Sequence, residues 1–168
     1  MKRFVTVLFA ALMLAAGLTT AAHADPPSPP SGLSYASTGQ CLTKAGPGFG
    51  HVAFLTSCDY ANPAQFWTLY MRHSPDMYEI RNDRGDMSGL CLGVYRKSTA
   101  EGADILAEPC DAGNFSQIWR TDVYNGNARS YTAVHSNKCL GQIPGAGIWA
   151  DQVTCSYNAL WNRKVFYP

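Results

Sequence analysis

The chain has 168 residues, a formal net charge of +1, and only 15 % charged against 12 % aromatic residues. That is enough for one domain with its own core and too little for two comfortable ones, and without a basic excess it lacks the usual electrostatic drive toward nucleic acid or a membrane surface. Frequent glycine, few charges and no long 3.6-residue apolar period beyond residue 24 predict short strands and tight turns rather than helices.

In chain order, the first element is a targeting segment. Lys2 and Arg3 precede an apolar run from Phe4 to Leu18, and Ala22-His23-Ala24 has the small-x-small form of a cleavage site. Residues 1–24 therefore read as a secretory signal peptide, the apolar run being shorter than the ~20 residues needed to span a bilayer. Cleavage would take the basic residues from 13 to 11 against 12 acidic ones and send the protein outside the cell. Asp25 to Gly32, "DPPSPPSG", reads as a proline-rich linker.

From Leu33 to Pro168 the chain repeats itself. Unit one (about 33–74) carries Cys41-Leu42, a strand-like "HVAFLTSC" ending at Cys58, and Gln65-Phe66-Trp67. Unit two (about 75–125) has "MYEIRN", Cys91-Leu92, "ADILAEPC" ending at Cys110, and Gln117-Ile118-Trp119. Unit three (about 126–168) has "SYTAVHS", Cys139-Leu140, "IWADQVTC" ending at Cys155, and Asn158-Ala159-Leu160-Trp161.

The register is fixed twice over. The Cys-Leu pairs are 50 and 48 residues apart, and the second cysteine follows after 17, 19 and 16 residues. Gly50, Gly102 and Gly147 each stand eight residues ahead of a second cysteine. Only the third tail departs: Ala159 replaces the glutamine, and Trp161 follows Cys155 by six residues where the other tryptophans follow by nine.

Four short strands per unit give about a dozen, and three units that cannot each enclose an apolar face can together close a barrel about a pseudo-threefold axis. Leu42, Leu92 and Leu140 are then equivalent core positions. Trp67, Trp119 and Trp161 form a second set, each with an indole N–H that needs an acceptor. Six cysteines in an oxidising compartment suit three disulfides, with fifteen pairings open.

The repeated Cys-Leu, the paired cysteines and the recurring Gln-x-Trp resemble the ricin-type (Q-x-W) β-trefoil lectin family over the whole of 33–168. The resemblance implies an all-β trefoil and one disulfide within each repeat: Cys41–Cys58, Cys91–Cys110 and Cys139–Cys155. It also implies a secreted, non-catalytic carbohydrate-binding module with a glycan partner and no cofactor. The Cys91–Val94 start together with "PCDAGNFSQIWR" is in addition similar to the accessory subunits of cytolethal distending toxins, whose resemblance implies the alternative: a binding or structural subunit with a protein partner. A trefoil hydrolase inhibitor is a third possibility, for which no reactive loop stands out.

The family's sugar contacts are mostly missing. A carboxylate two residues after the first cysteine is replaced by Thr43, Gly93 and Gly141; an amide and an aromatic ahead of the second cysteine are replaced by Phe54 and Thr56, Leu106 and Glu108, Asp151 and Val153. The asparagine expected before the glutamine is Ala64 in unit one and Ser116 in unit two. The best remaining candidate is a site in which a ring stacks on Trp149 while Asp151 and Asn158 bond its hydroxyls, Trp149 and Asp151 sharing one strand face. Tyr95 with Asp104 and Asn114 is a second choice. Gln65 and Gln117 read as structural, bonding backbone groups across the repeat.

Catalysis has little to stand on. No nucleophile elbow, zinc-protease motif or phosphate loop occurs, and His51, His73 and His135 fall at non-equivalent positions of the three units. His135 reads as a half-buried structural residue. Asp83 and Asp86 in "RNDRGDMSG" read as a solvated turn rather than a calcium loop, and Arg84-Gly85-Asp86 is short enough to arise without a ligand. The cysteines lack Cys-x-x-Cys spacing and suit bridges better than zinc, so no metal is expected. Asn114-Phe115-Ser116 fits the N-glycosylation pattern.

Overall fold

The computed structural model describes residues 28–46, 50–84, 89–124 and 126–165. The signal peptide, the first residues of the linker, and Gly85 and Asp86 lie outside the described residues. Twelve strands carry the described chain, four to a unit. Unit one contributes β1 (Ser31–Tyr35), β2 (Cys41–Lys44), β3 (His51–Thr56) and β4 (Thr68–Arg72). Unit two contributes β5 (Ser74–Asn82), β6 (Leu90–Val94), β7 (Ala103–Pro109) and β8 (Ile118–Val123). Unit three contributes β9 (Ala128–Ala133), β10 (Cys139–Gly141), β11 (Asp151–Val153) and β12 (Trp161–Val165).

First and fourth strands of the units make the barrel. The path runs β1–β12–β9–β8–β5–β4, all antiparallel. A bridge between Ser31 and Trp67 closes it, with their backbones exchanging two hydrogen bonds of 2.9 Å. Closure removes the free edges that a twelve-strand open sheet would leave to aggregate. The second and third strands form three hairpins, β2–β3, β6–β7 and β10–β11, which join into a cap through β3–β7, β7–β11 and a Phe54–Trp149 bridge. The fold is thus a β-trefoil of three four-stranded units.

The linker is shorter than its proline content suggests. Ser31 and Gly32 already belong to β1, and Ser28 bonds to Leu69 in both directions: its amide donates to the Leu69 carbonyl at 3.1 Å, and its Oγ accepts from the Leu69 amide at 2.9 Å. Serine and glycine carry no proline's missing donor, so the ladder begins as soon as the prolines end.

The repeats meet in the core. Leu42, Leu92, Leu140, Trp67, Trp119 and Trp161 are all fully buried. Each indole finds its acceptor in the leucine of its own unit's Cys-Leu pair: Trp67 Nε1 donates to the Leu42 carbonyl at 2.9 Å, Trp119 to Leu92 at 2.8 Å and Trp161 to Leu140 at 2.9 Å. The motif spacing is therefore a hydrogen-bond requirement as well as a packing one. The three disulfides fall within repeats, Cys41–Cys58, Cys91–Cys110 and Cys139–Cys155. Each closes a loop of the size that stabilises a fold by about 3 kcal/mol through restriction of the unfolded chain. The recurrent glycine has a backbone reason: Gly50, Gly102 and Gly147 take φ of 75°, 76° and 95°, which side chains with a Cβ rarely adopt.

Candidate functional site

The tail of each unit is built around one short 3₁₀ turn: Pro63–Gln65, Phe115–Gln117 and Tyr157–Ala159. Each is capped by a side-chain oxygen, from Asn62, Asn114 and Ser156, that accepts an amide two residues on. In units one and two the turn ends in a buried glutamine. Gln65 Oε1 accepts from the Asp59 amide at 2.8 Å while its Nε2 donates to the Ser57 carbonyl and the Thr43 hydroxyl, both at 3.0 Å. Gln117 does the same with the Asp111 amide at 2.9 Å and the Pro109 carbonyl at 3.0 Å. The glutamine thus latches the turn to the backbone on both sides of the second cysteine, the structural role its position suggests.

The latch glutamine also packs against the position two residues after the first cysteine. A Cβ on Gly93 would stand 2.8 Å from Gln117 Cγ, whereas in unit one Thr43 occupies that position and accepts from Gln65.

Unit three has no latch. Ala159 supplies only a methyl, and the connection from the second cysteine to the turn is three residues shorter, so that Ser156 is both the first residue after Cys155 and the cap. Here a cleft of about 230 Å³ opens, lined by Ile143, Pro144, Val153 and Ala159 on one side and by Tyr35, Glu101, Gln142, Thr154, Ser156 and Asn158 on the other. Val153, Ala159 and Cys139 form a small buried cluster with Ile143 packed against it. A Cβ on Gly141 would run into a Val153 methyl, which covers that glycine as Gln117 Cγ covers Gly93.

The polar rim is organised. Tyr35 packs its ring against Trp161, centroids 4.8 Å apart, and burial pushes its hydroxyl's pKa up, against the opposite pull of the Gln142 backbone and Ser37. Glu101 accepts from the Thr154 amide at 2.8 Å, from the Thr154 hydroxyl at 2.9 Å and from Lys138 Nζ at 3.1 Å. Those bonds, the Thr154 amide first, hold its carboxyl below the usual carboxylate range.

The structure distributes the candidate residues differently from their strand pattern. Asn158 lines the cleft and is exposed. The turn equates it with Ala64 and Ser116, so it occupies the position just before the glutamine where the resemblance expects an asparagine. The sequence carries this alignment once Ala159 is set against the glutamines, since Asn158 then stands where Ala64 and Ser116 do.

Trp149 and Asp151 do not line the cleft. Trp149 precedes β11, bridges to Phe54 on the cap and is 46 % exposed, its ring set edge-on to Phe54 with centroids 6.3 Å apart. Asp151 is buried, its Oδ2 accepting from the Ile143 amide at 3.3 Å, and it faces Asp104 across the β7–β11 ladder. Burial raises its pKa, the Ile143 amide opposes this, and the Asp104 charge adds to it.

The second group is separated as well. Tyr95 opens a turn of its own, partly exposed beneath the Arg96 guanidinium 5.0 Å from its ring centroid, whereas Asp104 pairs with Asp151. Asn114 is buried as a cap, its Oδ1 accepting from the Ser116 amide and hydroxyl at 3.2 and 2.8 Å.

His135 is half-buried with Nε2 2.9 Å from the Ser98 carbonyl, and His73 stands 5.9 Å from the Phe115 ring. Among the described residues, Glu79, Cys91 and Cys110 bring possible ligand atoms within 4.8 Å of one another. Both sulfurs are joined in a bridge, and Glu79 Oε2 is held by Arg72 at 3.1 Å and Arg81 at 2.5 Å.

Comparison with known proteins gives one family and one fold. The model of the ricin-type beta-trefoil lectin domain matches residues 33–158. No curated protein sequence matches the chain. Among solved structures, the designed threefold symmetric protein ThreeFoil superposes with a TM-score of 0.71 at 22 % identity, over 80 % of this chain and 97 % of that one. The Polyporus squamosus lectin gives 0.66 at 12 %, over 80 % of this chain but 48 % of the lectin, about half its length. A chain of the cytolethal distending toxin of Actinobacillus actinomycetemcomitans gives 0.64 at 13 %, over 83 % and 91 %. At such identities the superpositions establish the fold.

Proposed function

The chain belongs to the ricin-type β-trefoil lectin domain family, and from that premise we propose that it is a secreted, non-catalytic sugar-binding module whose site is the cleft of unit three. One observation carries the reading: the cleft opens where the repeat loses its latch, and it sets an apolar wall of Ile143, Pro144 and Val153 against the polar groups of Tyr35, Ser156 and Asn158. A pyranose has the same two sides, C–H bonds on one and hydroxyls on the other. Asn158 makes no side-chain hydrogen bond within the described residues, so its carboxamide is free for a ligand.

A glycan array probed with the mature protein, followed by titration of two variants, tests this. Asn158→Ala lowers affinity at least tenfold, about 1.4 kcal/mol, and Trp149→Ala leaves it unchanged. The reverse pattern would move the site to the cap.

A second reading, a binding subunit of a secreted protein assembly, is favoured by the cap surface. Ile148 and Trp149 are 48 % and 46 % exposed beside Phe54, adjacent apolar side chains of the kind a protein partner would cover. It predicts a blank array and co-elution with a protein partner that Trp149→Ala abolishes.

A further inference from the structure

Units one and two show in atomic terms what unit three lacks. In both, a carboxamide sits between the amide of the residue after the second cysteine and the carbonyl of the residue before it, accepting from one and donating to the other. The corresponding residues of unit three are Ser156 and Thr154, and both line the cleft together with Ala159. Neither the Ser156 amide nor the Thr154 carbonyl has a hydrogen-bond partner among the described residues; the Ser156 hydroxyl and carbonyl serve the turn, and the Thr154 amide and hydroxyl serve Glu101.

In an extended chain, a carbonyl and the amide two residues further on point to the same side. A ligand that satisfies both must present a donor and an acceptor side by side, as a primary carboxamide does. We infer that the ligand of this cleft takes the place of the absent glutamine, and that it does so with two adjacent hydroxyls of a neutral pyranose, one accepting from the Ser156 amide and one donating to the Thr154 carbonyl. The inference rests on the sugar-binding reading above and specifies its chemistry.

Two selectivities follow. The acetamido group of an N-acetylated sugar is a trans secondary amide whose N–H and C=O point apart, so it cannot serve both backbone groups, and N-acetylation brings no gain. Acidic sugars are rejected, because Glu101 at the rim is held ionised and the Thr154 carbonyl adds a second negative dipole end.

The test is an amide-resolved NMR titration of the full mature protein. Three probes are used: acetamide, which is the fragment that separates glutamine from alanine; N-methylacetamide, its trans counterpart; and a panel of neutral methyl hexosides with their deoxy, N-acetyl and uronic acid analogues. Acetamide shifts the Ser156 amide and the Ala159 methyl, N-methylacetamide does so at least tenfold more weakly, and one neutral hexoside competes with acetamide. Removal of one hydroxyl of the bound pair lowers affinity at least tenfold.

Ala159→Gln, which restores the latch, lowers both acetamide and sugar binding at least tenfold. Sugar binding that leaves Ser156 unshifted and survives Ala159→Gln overturns the inference while sparing a lectin function elsewhere on the fold. If no sugar binds, the sugar reading falls and takes the hydroxyl-pair ligand with it. Acetamide that leaves Ser156 untouched overturns the open backbone pair itself, and because it is measured on the unaltered protein, that result does not depend on any variant folding.

Discussion

Unit two and unit three have the same strands, the same bridge and the same indole-to-leucine hydrogen bond, yet one is sealed and the other open. The difference is one side chain and a three-residue shortening of the connection that leads from the second cysteine into the turn. In unit two Gln117 fills the space over Gly93 and joins Asp111 to Pro109. In unit three a valine methyl covers Gly141 and the remaining volume is cleft. A repeat protein can therefore keep its fold in every unit while one unit gives up its latch for an open cleft, because the tryptophan and the disulfide, which unit three retains, carry the closure.

If the shared parts carry the fold, removing one should cost far more than removing the latch. Trp161→Ala is expected to destabilise the protein by about 3–5 kcal/mol, through the cavity and the unpaired Leu140 carbonyl, measured by denaturant unfolding. Gln117→Ala comes next, at about 1–3 kcal/mol, since it strands the Asp111 amide and the Pro109 carbonyl in a partly buried site. The converse change, Ala159→Gln, should alter stability by no more than about 1 kcal/mol, because solvent already serves the groups it would latch. Equal losses for Gln117→Ala and Trp161→Ala would erase the distinction between closure and latch.

The smallest effect sharpens the electrostatics of the same hairpin. Burial raises the Asp151 pKa. A carboxyl whose folded pKa lies above its unfolded one holds its proton more tightly when folded, so it favours the fold in acid and loses that contribution as pH rises through the folded value. At neutral pH Asp151 is thus a mild liability facing Asp104. Asp151→Asn should leave stability at pH 7 equal or slightly higher and flatten its decline between acid and neutral pH. Glu101 runs the other way: its pKa is depressed, so its bonds to Thr154 are present at neutral pH and are lost as acid protonates it.

The contrast between units also shows what the sequence could reveal. The trefoil and the roles of Gln65, Gln117 and the three tryptophans were legible because each is a local spacing repeated in register, and a hydrogen bond such as Trp119 to Leu92 ties two motifs that both recur; the three bridges were legible only through the family resemblance. The candidate site was not legible in the same way. Trp149 and Asp151 alternate like residues on one strand face, but β11 begins only at Asp151; Trp149 instead bridges to β3, so one side chain faces solvent and the other is buried. Asn158 lines the cleft, and the two residues read with it do not. The cleft itself was visible only as an irregularity, Ala159 where a glutamine should stand.

The comparison is tested most directly by hydrogen exchange at the three amides that follow the second cysteines. With Gln65 and Gln117 as latches, the amides of Asp59 and Asp111 should exchange at least tenfold more slowly than that of Ser156, and addition of a bound sugar should slow Ser156 alone. Equal protection of all three in the unliganded protein would contradict an open third unit.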